Sequence, residues 1–188
     1  MKKYQNESDE WVVRQWIEQS NGAAFEEIYL RKKQNIYNYV FRMTRNTSLS
    51  EEIVNDVFMV LWEHPKKFQN VNIRTYLIGI ARKLTLMELR NNATGEHVSI
   101  ENLELTENIS EDFEYREYKD LLVEIVENEL PFELREIFYL DIYYEYKDKE
   151  IAEIVGKTVY DVKNDIKKIK MFIIMRLKSK ISNKNKTT

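Results

Sequence analysis

The chain has no cysteine and only two prolines, four glycines and two histidines in 188 residues. Without cysteine there are no disulfides and no thiolate metal ligands, which fits a reducing, cytoplasmic setting. So few prolines and glycines leave long stretches in which helical patterns run unbroken. No apolar run approaches the roughly 18 residues of a membrane span, so no membrane insertion is expected. No charged-then-apolar stretch opens the chain as a secretory signal would. His64 and His97 stand alone in the sequence, and no glycine-rich phosphate loop is present. Carboxylates are plentiful, but they fall on the polar faces of helical patterns. Neither catalysis, a metal, a cofactor nor a small-molecule substrate is therefore expected.

What is present is apolar spacing and segregated charge. Hydrophobic residues make up 43% and charged residues 32%, as in ordinary globular domains. The net charge is −3, but it is unevenly spread. Residues 1–95 hold 14 Lys+Arg against 11 Asp+Glu, a net of +3. Residues 96–129 hold 2 against 12, a net of −10, and residues 130–148 hold 2 against 5, a net of −3. Residues 149–188 hold 11 against 4, a net of +7. Two basic units flank an acidic middle, and local rather than net charge governs attraction to a polyanion.

The periodicity predicts an all-α protein. A short helix carries Trp11, Val12, Trp16 and Ile17, and Asn21-Gly22 marks a turn. A long helix follows from about Ala23 to Arg45, burying Phe25, Ile28, Tyr29, Ile36, Tyr39, Val40 and Met43. In the next stretch Ile53, Val54, Val57, Phe58, Leu61 and Trp62 recur at helical spacing, with Glu52, Asn55, Asp56 and Glu63 opposite. Ser48 with Glu51 predicts a capping box at its start, and His64-Pro65 stops it. A polar basic connector, Lys66 to Asn72, leads to a helix from about Ile73 bearing Arg74, Arg82, Lys83 and Arg90. An acidic helix, a basic loop and a basic helix in series point to a protein-facing surface beside a nucleic-acid-facing one. Trp11, Trp16 and Trp62 are expected in the core.

Residues 93–129 read as an acidic linker whose last part, from Phe113, regains helical spacing. Leu130-Pro131 opens a second unit, in which Leu134, Ile137, Phe138 and Ile142 form one stripe and Tyr143, Tyr144 and Tyr146 are expected in the core. Asp148 is expected to cap a short helix, Gly156 suits its left-handed end, and Thr158 with Asp161 caps the next. There Val159, Val162, Ile166, Ile169 and Ile173 point inward, and Tyr160, Lys163, Asn164, Lys167 and Lys168 outward. Short helix, three-residue turn and basic second helix describe a helix-turn-helix. Asp165 falls on the flank, three residues from Lys168, where the two can pair. The expected organisation is a helical domain over 1–92, the linker over 93–129, the helix-turn-helix domain over 130–181 and a disordered tail over 182–188.

Four blocks in this order resemble the extracytoplasmic-function (ECF) sigma factors of bacterial RNA polymerase. They are AAFEEIY at 23–29, EEIVNDVFMVLW at 51–62, IRTYLIGIARK at 73–83 and LPFELREIFYLDIYYEYKDKEIAEIVGKTVYDVKNDIKKIK at 130–170. The resemblance implies a protein that binds core RNA polymerase, directs it to specific promoters and assists DNA melting without catalysing a reaction itself. It implies polymerase docking through Glu52, Asn55, Asp56, Phe58 and Trp62. Contact with the −10 promoter element would fall to Lys66, Lys67, Asn70, Asn72, Arg74, Tyr76, Arg82 and Lys83. Contact with the −35 element would fall to Thr158, Tyr160, Lys163, Asn164, Lys167 and Lys168. An anti-sigma factor is the further expected partner. The chain departs from the family pattern at Gly79, where many relatives have arginine, and at Asn164-Asp165, where they have Ser-Arg. Tyr160 also stands where glycine is usual. A helix-turn-helix regulator that acts without docking on polymerase is the alternative, but it leaves residues 1–92 without a role.

Overall fold

A computed structural model describes residues 4, 6–65, 72–91 and 113–184. All regular elements among them are helical, and they fall into two units, Met1–Ile100 and Glu101–Thr188. Lys66, Lys67 and Asn70, the sequence between 92 and 112 with His97, and residues 185–188 lie outside the described residues.

In the first unit α1 (Asp9–Gln19), α2 (Gly22–Thr44), α3 (Thr47–Glu63) and α4 (Ile73–Asn91) build one core. The long helix α2 packs against the other three, and α3 packs on α4. Val12 and Trp16, Ile28, Ile36, Tyr39 and Val40, Ile53, Val57 and Leu61, and Leu77, Ile78 and Ala81 fill it. The helix ends follow from local chemistry. The Asn21 side-chain oxygen accepts from the Ala23 and Ala24 amides at 3.1 and 3.3 Å, satisfying donors with no partner inside α2. Ser20 and Arg45 adopt left-handed backbone, φ 48° and 56°, and end α1 and α2. Across α1 and α2, Asp9 bonds Arg31 at 3.1 Å and also Lys32. Burial works against the charged form, yet these two cations hold the Asp9 carboxyl below the usual range.

Two sequence expectations change here. The cap of α3 is Asn46, whose side-chain oxygen accepts from the Leu49 amide at 3.0 Å, and not Ser48, which lies exposed one residue inside the helix. Asparagine caps as well as serine, and the left-handed Arg45 makes Asn46 the first residue able to turn the chain into α3. Of the tryptophans, Trp16 is core and Trp11 is half-buried, but Trp62 is 53% exposed. Trp62 follows buried Leu61, and one residue along a helix turns the side chain by about 100°, off the Ile53–Val57–Leu61 stripe.

In the second unit α5 (Phe113–Glu129), α6 (Phe132–Phe138) and α7 (Asp148–Val155) all pack on α8 (Val159–Lys184). Ile125, Ile137, Leu140, Ile151, Val162 and Ile169 are central to this core. The helix expected at the end of the linker is thus a packed part of this unit. Lys180 bonds Glu124 at 2.6 Å and Glu129 at 3.2 Å, and Arg176 also bonds Glu129. The helix α8 runs to Lys184, so residues 182–184 are helical rather than part of a tail.

Between α6 and α7 the chain makes a π-turn over Tyr139–Tyr143, closed by the Tyr144 amide on the Tyr139 carbonyl at 3.0 Å. One extra residue in the turn shifts the helical register. Leu140 and Tyr144 therefore face inward, and Ile142, expected on the buried stripe, is 54% exposed. Tyr144 and Tyr146 are core, as expected, whereas Tyr143 is exposed. The cap of α7 is Lys147, whose amide donates to the Glu150 carboxylate at 3.0 Å; Asp148 is already helical.

Candidate functional site

Two surfaces of the first unit carry the residues singled out in the sequence. On α3, Glu52, Asn55 and Asp56 are exposed. Beside them the helix opens a shallow groove against α2, lined by Phe25, Tyr29, Asn55, Phe58, Met59, Trp62 and Glu63. Phe58 is 4% exposed and belongs to the floor, its ring 4.7 Å from Tyr29 and 6.3 Å from Phe25. Trp62 forms an exposed rim, edge-on to Phe25 at 4.8 Å and stacked near Trp16 at 6.3 Å. An apolar groove rimmed by an indole and bordered by carboxylates suits a protein partner with apolar anchors and basic side chains. Met59, exposed on this groove, was missed in the sequence. It falls in the middle of the polar face, between Asn55 and Glu63, where periodicity expects no apolar contact.

The second surface is α4. The Asn72 side chain accepts from the Arg74 amide at 2.9 Å, and the Tyr76 amide donates to the Asn72 carbonyl at 3.0 Å. Asn72 thus opens the helix where the basic connector meets it. Arg74, Tyr76 and Arg82 are half-buried and Lys83 is exposed, while Ile73, Leu77, Ile78 and Ala81 face the core. Tyr76 and Lys83 are two helical turns apart and share a face. Burial pushes the Tyr76 phenol up, so it stays a neutral hydrogen-bonding group. At Gly79 an added Cβ would meet no atom within 4 Å.

In the second unit α7 and α8 are joined by Gly156, Lys157 and Thr158. Gly156 takes φ 70°, and the Lys157 amide closes the end of α7 on the Ala152 carbonyl at 3.0 Å. The Asp161 amide donates to the Thr158 hydroxyl at 3.1 Å, and that hydroxyl donates to the Asp161 carboxylate at 2.6 Å. Thr158 is therefore occupied as a cap. Tyr160 is 73% exposed, Lys163, Lys167 and Lys168 are exposed, and Asn164 is half-buried, all along one broad face of α8. Lys163 lies 3.9 Å from Asp148 in a solvent-facing pair. Asp165, on the flank, bonds both Lys168 at 3.1 Å and Lys157 at 2.7 Å. The second partner was not foreseen, because it sits eight residues away across the turn.

The sigma-70 region 2 family matches residues 28–94, a span that begins in the first third of α2 and includes all of α3 and α4. That match falls within the first unit. The fold of the chain is also shared with the sigma factor RpoE of Bartonella quintana, solved in complex with the anti-sigma factor NepR. That likeness has a TM-score of 0.63 at 18% identity, over 82% of this chain and 96% of that one. CnrH, solved in complex with the cytosolic domain of CnrY, matches with a TM-score of 0.64 at 17% identity, over 91% of this chain and 97% of that one. No curated protein matches the sequence. Both α3 with its groove and α4 with Arg74, Arg82 and Lys83 lie within the matched span. Among the described residues no helix is long and apolar enough to cross a membrane, and no group of three or more His, Asp or Glu could hold a metal ion.

Proposed function

We propose that the chain is an ECF sigma factor, which binds bacterial core RNA polymerase, directs it to specific promoters and assists DNA melting. The observation that carries this reading is the region 2 match over residues 28–94, on a domain whose α3 pairs exposed carboxylates with an apolar groove. In this reading Glu52, Asn55, Asp56 and Trp62 meet polymerase, and Phe58 shapes the groove from below. Asn72, Arg74, Tyr76, Arg82 and Lys83, with Lys66, Lys67 and Asn70 of the connector, serve the −10 element. Capture of an unpaired base there offsets the few kcal/mol of unstacking and so favours melting. Residues 130–181 form the DNA-reading helix-turn-helix for the −35 element, with α8 in the major groove. Tyr160, Lys163, Asn164 and Lys167 face the DNA, Lys168 lies on the same face with its ammonium held by Asp165, and Thr158 fixes the start of α8. Residues 93–112 serve as the acidic linker between the two parts.

The protein acts in the cytoplasm, where polymerase is, and makes or breaks no bond itself. RpoE is bound by an anti-sigma factor in its solved complex, and by likeness of fold we extend such a partner to this chain. The test is transcription by bacterial core polymerase with this chain on a library of promoter fragments. Transcripts from a defined promoter set, dependent on the chain, are expected. Absence of chain-dependent transcription together with absence of core binding would overturn the reading. DNA binding by the chain without polymerase capture would favour the alternative, a helix-turn-helix regulator.

A further inference from the structure

Asp165 lies within the outward-facing helix α8 and yet is only 7% exposed. Each of its carboxylate oxygens is taken by a different lysine. Lys157 reaches one from the turn at 2.7 Å, and Lys168 reaches the other from one helical turn further on at 3.1 Å. Burial disfavours the charge, but these two hydrogen bonds prevail and hold the Asp165 carboxyl below its ordinary range. The group therefore stays ionised near neutral pH, and three charged side chains present one net positive charge where two lysines alone would present two.

This matters because indiscriminate DNA affinity comes from lysines and arginines that displace counterions from phosphates. A lysine held by an internal carboxylate must give up that bond to reach a phosphate. Tyr160, Lys163, Asn164 and Lys167 lie outside this cluster and keep their outward face. Asparagine at 165 would keep the shape and one acceptor oxygen but lose the charge that holds two ammonium groups.

We propose that Asp165 is a specificity-setting residue: it withholds Lys157 and Lys168 from indiscriminate phosphate contact, so that binding depends on the remaining face of α8. The proposal rests on the DNA-reading role of α8 given above. It adds that the aspartate lowers the background DNA affinity of α8.

The test measures binding of the full-length chain to a random-sequence DNA duplex over a salt series by fluorescence anisotropy, with helix content checked by circular dichroism. Asp165→Asn is expected to tighten binding by about threefold or more at the lowest salt and to steepen the log–log slope by about 0.9 for each further phosphate neutralised. Asp165→Glu should keep the wild-type slope. In a Lys157→Ala, Lys168→Ala background, Asp165→Asn should change nothing further, as a double-mutant cycle requires. Unchanged or weaker random-DNA binding in a folded Asp165→Asn variant would overturn the proposal. So would a tightening that persists without the two lysines, which would mean direct repulsion of phosphate by Asp165. If Asp165→Asn fails to fold, Lys157→Ala decides: an unchanged slope supports a withheld lysine, and a slope shallower by about 0.9 refutes it. A wild-type chain that binds no duplex, alone or with polymerase on a promoter, would instead remove the DNA-reading role of α8 and the proposal with it.

Discussion

Gly79 sits inside α4, where glycine costs backbone entropy and gives no packing in return. The space around it is open to a Cβ, and its buried neighbour Ile78 already holds the helix on the core. Gly79→Ala should therefore stabilise the first unit by about 0.5–1 kcal/mol, read as a higher denaturant midpoint at unchanged slope. A destabilised variant would mean that the position makes a close approach that the open space does not suggest. Acid acts on other single residues, Asp9 in the first unit and two carboxylates in the second. Burial opposes the charge of Asp165, but its lysine bonds lower its carboxyl, and the hydrogen bond from Arg176 lowers that of Glu129. A depressed carboxyl contributes stability that is present above its unfolded pKa and lost as pH falls through the folded one. The second unit should thus hold its thermal midpoint down to about pH 5 and lose it below about pH 4. Combining Asp165→Asn with Glu129→Gln should lower the midpoint near neutral pH and flatten the acid loss. An equally steep acid loss in that double variant would assign the effect to other carboxylates.

At the scale of the element, α3 joins a core-facing stripe to an exposed acidic face. Ile53, Val57 and Leu61 hold it in the core, and Glu52 and Asp56 face away from them. Reversing both charges, Glu52→Lys with Asp56→Lys, should leave the unfolding midpoint within about 0.5 kcal/mol per site. Capture of core polymerase should fall by about tenfold or more, since two interface contacts of about 1 kcal/mol each are worth that much. Wild-type capture by the folded double variant would exclude this face from docking. The helices themselves were legible because their apolar residues recur at three and four residues over several turns. Their ends were less so. Asn46 and Ser48 are both good caps, and only the left-handed Arg45 selects the first. The start of α7 is held by the Lys147 amide donating to the carboxylate of Glu150, a backward-reaching bond hidden behind the more obvious Asp148. The π-turn was illegible because one residue of register leaves no mark on composition. Ile142 lies exposed within it. The groove was half legible: Trp62 was named for docking, but Phe25 and Tyr29 were assigned wholly to the core because their partners lie on another helix.

For the whole molecule, net charge is a poor guide. The chain carries −3 overall, yet residues 149–188 carry +7, and within them the outward face of α8 shows Lys163 and Lys167 to solvent. A partner polyanion responds to charges within a Debye length of about 8 Å at physiological salt, not to the net charge of the chain. The Lys163–Asp148 pair is solvent-facing and 3.9 Å long, the kind of interaction worth about 1 kcal/mol or less. Lys163 can therefore exchange Asp148 for a phosphate at little cost, unlike Lys157 and Lys168 on their buried carboxylate. Holoenzyme binding to its promoter should weaken with salt, and Lys163→Ala with Lys167→Ala should reduce the log–log slope by about 0.9 for each phosphate no longer neutralised. Because phosphate contacts carry no base preference, affinity should fall by a similar factor on all promoters in the set. A changed promoter preference would place these lysines on base edges. An unchanged slope with unchanged promoter use would move the DNA-facing surface off α8.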